Sequence, residues 1–180
     1  MKTSYIAFLR GINVGGHTVK MERLRELFEE LSLENVRSYI NSGNLFFDTS
    51  EPDRSVLAKQ IETHLIDVLG FEVPVFLRTP AEIQAVLAQD QFHGIELTPD
   101  RRFSVVFTAN TLNTKLALPI YSTRGDMEIV ALNPTEAFVV WHILDGHPPS
   151  GRFPENVLPA RNTSRFYHTL GKILHAALSK

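Results

Sequence analysis

Three segments of this sequence hold residue types that could bind an anion. The first is Gly11-Ile12-Asn13-Val14-Gly15-Gly16, which follows an apolar run ending at Arg10 and precedes a helical pattern from Met21. A glycine-rich turn that feeds a helix leaves backbone N–H groups open to an anion. Its spacing matches neither the dinucleotide Gly-x-Gly-x-x-Gly nor the P-loop, because Gly15-Gly16 is followed by His17-Thr18. The simpler alternative is that the glycines only permit positive φ and that Thr18 caps the helix. The second segment surrounds Ser42-Gly43, where Arg37, Asn41, Ser42 and Asn44 place donors and acceptors beside one turn. Asn and Ser are also ordinary turn residues. The third follows Glu155 and holds Arg161, Arg165, Lys172 and Lys180 with no acid. A helix over 165–178 would put Arg165, His168, Thr169 and Lys172 on one face. A cation in its first turn would oppose the helix dipole and so call for a partner or a bound anion. The competing account is that Lys172 and Lys180 offset the dipole while Arg161 and Arg165 are solvated.

Catalytic and metal signatures are weaker. The sequence contains neither Gly-x-Ser-x-Gly nor His-Glu-x-x-His. Its seven histidines, His17, His64, His93, His142, His147, His168 and His175, form no dense cluster, and His142 and His147 are the nearest pair. No metal and no cofactor is expected. Asp126 and Glu128 alternate as paired carboxylates would, although a solvated hairpin edge explains them as well. His17 or His168 could serve as a general acid or base. No nucleophile accompanies them, so the sequence assigns no reaction and leaves open whether the chain is an enzyme.

The elements that must position these residues read as two parts. Tyr5 to Arg10 is a strand, Met21 to Leu31 a helix, and Val36 to Asn41 with Asn44 to Phe47 a hairpin closed by Ser42-Gly43. Leu57 to Leu69 is a helix ended by Gly70, and Val73 to Arg78 a strand. The resulting βαββαβ order predicts an α+β fold with a ferredoxin-like subdomain over 1–79. A smaller α+β subdomain, packed against it, is expected over 80–180. It opens with the capping box Thr79-Pro80-Ala81-Glu82 and continues through a strand over Phe103 to Thr108. A hairpin follows, Met127 to Leu132 and Ala137 to Ile143 around Asn133-Pro134. The Pro- and Gly-rich stretch from Asp145 to Pro159 predicts an irregular but ordered loop, and the helix over 165–178 closes the chain.

Composition bounds the function. With 180 residues, 43% hydrophobic, and a net charge of -2, the chain can bury a core but is not a globally basic nucleic-acid coat. Cysteine is absent, which removes disulfides and thiolate chemistry and fits a cytoplasmic location. No apolar run is long enough for a membrane span, so no membrane is expected. The oligomeric state is not encoded in any pattern.

Phe8-Leu9-Arg10-Gly11-Ile12-Asn13-Val14-Gly15-Gly16 with Met21, then Tyr39-Ile40-Asn41-Ser42-Gly43-Asn44, then Val73-Pro74-Val75-Phe76-Leu77-Arg78-Thr79, resembles the bacterial family of domain of unknown function 1697. The resemblance covers nearly the whole chain. It implies an α+β protein of this size and brings no established activity. Such proteins usually end in Arg-Asn-Trp-Asn-Thr with Lys three residues later. Arg165, Thr169 and Lys172 keep that pattern, while Phe166-Tyr167-His168 replaces Asn-Trp-Asn. Arg161-Asn162 gives a second register. The resemblance groups all three segments into one candidate site, and the leading expectation is a cleft for a small phosphate- or carboxylate-bearing ligand. Its lining would be Arg10, Asn13, Gly15, Gly16, Arg37, Asn41, Ser42, Asn44, Arg165, Thr169 and Lys172. The alternatives are nucleic-acid binding, with Tyr39, Phe46 and Phe47 as stacking rings, and an enzyme using the same cleft.

Overall fold

The computed structural model describes residues 1–179; Lys180, one of the four C-terminal cations above, lies outside the described residues. Among them are four helices and two antiparallel sheets, so the chain is a mixed α+β protein. Backbone contacts divide it into two units. The first holds Met1–Ala85 and the chain from Ile173 onward, and the second holds Val86–Lys172. The division falls inside two helices, α3 (Pro80–Ala88) and α4 (Tyr167–Leu178), whereas the order of elements in the sequence places a boundary at 79/80.

In the first unit the elements run β1 (Thr3–Leu9), α1 (Met21–Glu29), β2 (Glu34–Ser38), β3 (Asn44–Thr49), α2 (Arg54–Leu69) and β4 (Val75–Arg78). The strands form one sheet in the order β2-β3-β1-β4, all antiparallel. Alternation sorts β1 cleanly: Tyr5, Ala7 and Leu9 join Leu45, Phe47, Val75 and Leu77 in a core with Leu24, Leu27 and Phe28 of α1 and Leu57, Ile61 and Leu65 of α2. Ile6, Phe8, Phe46 and Phe76, on the opposite face, are buried as well. Helix α2 starts where the Asp53 carboxylate accepts the Ser55 and Val56 amides, and it stops at Gly70 in the left-handed region. Helix α1 differs from expectation at its start. Its N-cap is Lys20, without a side-chain cap bond, so Thr18 does not cap it.

The link from β2 to β3 is also longer than expected. Strand β2 ends at Ser38, and Tyr39 and Asn44 close the connection through Tyr39 N–H to Asn44 O, 3.1 Å. Ile40 at φ 51° and Gly43 at φ 78° turn the chain, which a two-residue Ser42-Gly43 turn would not require.

The second unit is built on a five-stranded antiparallel sheet, β6-β7-β8-β5-β9, comprising β5 (Arg101–Thr108), β6 (Ile120–Tyr121), β7 (Met127–Leu132), β8 (Glu136–His142) and β9 (Asn162–Phe166). Strands β7 and β8 flank Asn133-Pro134 as expected. Val106, Ile129, Ala137 and Val139 pack with Leu112, Val157 and Leu158 from the long connections. Helix α3 carries the expected capping box: Thr79 N–H donates to Glu82 Oε2 at 2.8 Å, and Glu82 N–H to Thr79 Oγ1 at 3.2 Å.

Strands β6 and β9 are additions, and β9 corrects the helix expected over 165–178. Residues 162–166 pair with β5, so Thr163 and Arg165 turn inward while Ser164 and Phe166 turn outward. Helix α4 begins two residues later than expected, at Tyr167. Arg165 is therefore a strand residue, and neither the dipole conflict nor a shared helix face with Lys172 applies to it. Among the described residues no helix is long and apolar enough to cross a membrane.

Candidate functional site

The glycine loop and the β2–β3 turn meet at one corner of the first unit. Val14 and His17 form an antiparallel bridge, with Asn13 N–H to His17 O at 2.8 Å and His17 N–H to Val14 O at 3.3 Å. Gly15 and Gly16 sit at its apex with φ 60° and 90°, both left-handed, which is the two-residue hairpin geometry that glycine serves best. Both are exposed, and a Cβ on either would meet nothing within 4 Å. Asn13, itself at φ 60°, spans the corner: its Nδ2 donates to Asn41 O at 2.6 Å and its Oδ1 accepts from Val19 N–H at 3.0 Å.

A second tie lies behind the first. Leu9 N–H donates to Gly43 O at 2.9 Å, and a Cβ on Gly43 would stand 3.0 Å from Leu9 Cβ and 3.3 Å from Ile12 Cβ. Gly43 thus answers two demands, a positive φ and a close approach of backbones. Asn44 is 0% exposed, with Nδ2 donating to Ser42 Oγ at 3.0 Å and to Tyr39 O at 3.2 Å. It braces the turn and does not face solvent. Arg10, Asn41 and Ser42 are exposed around this corner. Ile40 between them is 46% exposed in a left-handed conformation, which for a β-branched residue stores strain on the order of 1–3 kcal/mol.

Arg37 has a different task. Its guanidinium donates to Ala176 O at 3.0 Å, Ala177 O at 2.9 Å and Ser179 O at 2.7 Å, and lies 5.3 Å from the Phe46 ring centre. It caps the C-terminal end of α4, whose last carbonyls lack partners within the helix. A charge that offsets this helix end thus comes from β2.

Arg165 is 9% exposed and donates to Thr163 Oγ1 at 2.9 Å and to Ser164 O at 2.8 Å, and burial pushes its guanidinium down to about 10. Thr169 is half-buried, with its hydroxyl 3.3 Å from His168 Nε2, and Lys172 is exposed. These three belong to the second unit, whereas Arg10, Asn13, Gly15, Gly16, Asn41, Ser42 and Asn44 gather in the first.

His17, His142 and Asp126, also singled out in the sequence, have structural partners. The His17 ring lies against Phe71, 4.1 Å between centres. His142 pairs with Glu128 at 3.0 Å. Asp126 is buried, which would raise its carboxyl, but bonds from the Ser122 hydroxyl (2.6 Å) and the Ser150 (2.8 Å) and Gly151 (3.0 Å) amides outweigh that and hold it below the usual range. It pins the Pro-rich loop from within, and a Cβ on Gly151 would fall 2.3 Å from Asp126 Oδ1. Among the described residues no group of three His, Asp or Glu could hold a metal. Of the hairpin aromatics, Phe46 and Phe47 are buried and Tyr39 is half-buried.

Sequence reasoning did not single out the cluster at the start of β5. Leu97, Thr98, Pro99, Arg101, Arg102 and Phe103, with Phe166, Tyr167 and His168, line a cavity of about 430 Å³ in the second unit. The signal present in the sequence was the adjacent pair Arg101-Arg102 before an aromatic strand residue.

A family model described as protein of unknown function, DUF1697, matches residues 1–138. No curated protein matches the chain. A solved structure, described as conserved bacterial protein SP0830 from Streptococcus pneumoniae, is 23% identical over 98% of this chain and 99% of its own, with a TM-score of 0.67. That likeness bears on the fold.

Proposed function

The chain belongs to the DUF1697 family, whose description names no reaction, and from that premise we propose that it binds a small phosphate- or carboxylate-bearing ligand at the corner between the glycine loop and the β2–β3 turn. The observation that carries this reading is the Asn13 side chain, which joins the two segments through Asn41 O at 2.6 Å and Val19 N–H at 3.0 Å. The tie leaves the exposed Gly15-Gly16 backbone, Arg10, Asn41 and Ser42 around one corner. Backbone amides and a guanidinium suit an oxyanion. The strained Ile40 beside them supports the reading, since residues held in such conformations by the surrounding structure cluster at functional sites.

Asn13 and Asn44 position the corner, and Gly43 lets its two backbones approach. Arg37 is occupied by the end of α4, and Arg165 is held within β9, so the proposed contacts do not include them. The reading of the first unit as ferredoxin-like is supported by its β2-β3-β1-β4 order with both helices in one core. A cytoplasmic location is supported by the absence of cysteine.

The test is thermal denaturation with inorganic phosphate, glucose 6-phosphate and citrate, in the natural chain and in Arg10→Ala. A ligand present at about 100 times its Kd adds about 2.7 kcal/mol of stability. The expected result is stabilisation by at least one of them that Arg10→Ala removes. No stabilisation by any, or the same stabilisation in Arg10→Ala, overturns the proposal.

A further inference from the structure

The cavity in the second unit has a lining unlike that corner. Three aromatic rings, Phe103, Phe166 and Tyr167, share it with Arg101, Arg102 and His168, and no acid is among its lining residues. Its volume of about 430 Å³ lies within the range of small-ligand sites. The rings are fixed from behind. Phe103 stacks on Phe92 at 4.5 Å between centres, Tyr167 meets Phe92 edge-on at 5.0 Å and donates its hydroxyl to Leu87 O at 3.1 Å, and Phe166 meets Trp141 edge-on at 5.1 Å. Phe166 and Leu97 nevertheless remain 36% and 64% exposed.

The cations are held by neutral groups. Arg101 donates to Glu96 O at 3.0 Å, and Arg102 to Pro99 O at 2.9 Å and Arg101 O at 2.7 Å. Among the described residues neither makes a salt bridge; the nearby Asp100 carboxylate, which feels the charge of Arg101, is bound by Thr98 Oγ1. His168 stands exposed in the first turn of α4, where the helix dipole adds positive potential.

We propose that this cavity is a second binding site, for a small ligand that joins a planar aromatic ring to an anionic group, of about the size of a nucleoside monophosphate. The register places Phe166 and Arg102 on one face of β5 and β9, opposite Phe103 and Arg101, so the ring would stack on Phe166 and the anion would meet Arg102 and His168 on that face. The inference does not rest on the first-unit corner and shares no residue with it.

Trp141, the sole tryptophan, touches the Phe166 wall and supplies an internal reporter. Its fluorescence and the melting temperature are followed with AMP, UMP and phenyl phosphate, with adenosine and ribose 5-phosphate as the ring-only and anion-only halves. The expected result is a saturable Trp141 response to at least one of the three aromatic anions. For AMP the halves would bind roughly tenfold or more weakly, the factor expected on losing one charge-assisted contact or one stacked ring. Arg102→Gln should weaken the response by a similar factor, and Arg10→Ala should leave it unchanged. The proposal is overturned if none of the three anions gives a response, if adenosine or ribose 5-phosphate matches a response to AMP, or if Arg102→Gln leaves the response unchanged. The first-unit reading fails separately, on the phosphate, glucose 6-phosphate and citrate series.

Discussion

Replacing Arg37 by Met keeps an apolar stem beside Phe46 and removes the guanidinium from the end of α4. Three bonds are lost, to Ala176 O, Ala177 O and Ser179 O at 2.7 to 3.0 Å. Each charge-assisted bond is worth about 1.5–3 kcal/mol when its acceptor has no other partner. Ser179 is exposed and the two alanines are half-buried, so water can take over much of the released hydrogen bonding. What remains is the helix-end charge, up to about 2 kcal/mol, together with about 0.5–1 kcal/mol from the cation over the Phe46 ring. The expected loss is about 2–3 kcal/mol, or a melting temperature lower by about 4–12 °C for a chain of this length. Urea denaturation followed by circular dichroism measures the loss, and amide exchange localises it to faster exchange in residues 174–179. Arg37→Lys, with charge but no fork, should fall between the two. Unchanged exchange at 174–179 in Arg37→Met, or a loss below about 0.5 kcal/mol, which is the scatter of ordinary surface substitutions, would refute the assignment of Arg37 as the cap.

Gly43→Ala meets both a left-handed φ and Leu9 Cβ at 3.0 Å, and a loss of about 2 kcal/mol is expected in urea denaturation. Ile40→Asn places a residue that tolerates φ 51° at the strained position, and it should stabilise the chain by about 1 kcal/mol, measured by melting temperature. Asp126→Asn should cost about 1–2 kcal/mol at pH 7. Because the Asp126 carboxyl is held below its ordinary value, its contribution is present above the unfolded value near pH 4 and is lost as pH falls through the folded value. The stability gap between Asp126→Asn and the natural chain should therefore shrink below about pH 4, which denaturation at stepped pH would show.

Elements that announce themselves locally were legible in the sequence. The Thr79 to Glu82 box, the Gly70 cap and the β7–β8 hairpin each place their signal within a few residues of the structure they specify. Strand β9 was not legible, because only Thr163 and Arg165 face inward, and a buried arginine reads in sequence as a solvated one. Phe166 then looked like the first apolar position of a helix that begins one residue later. The segments of the candidate corner were recognised, but the roles of their side chains were not. Asn13 and Asn44 look like ligand contacts by type, and only their partners reveal braces. Arg37 could not have been read as a cap, since its acceptors lie 139 to 142 positions away.

That separation also bears on the order in which the chain can fold. The first unit is discontinuous, completed by the stretch from Ile173 onward. During synthesis its sheet and first two helices emerge early, but the carbonyls that receive Arg37 emerge only after every residue of the second unit has been made. Until then the first unit lacks those carbonyls, and its completion depends on contacts of long sequence separation. A ribosome-bound chain halted before Ile173 should show the α1–α2 core protected from proteolysis less well than in the finished protein.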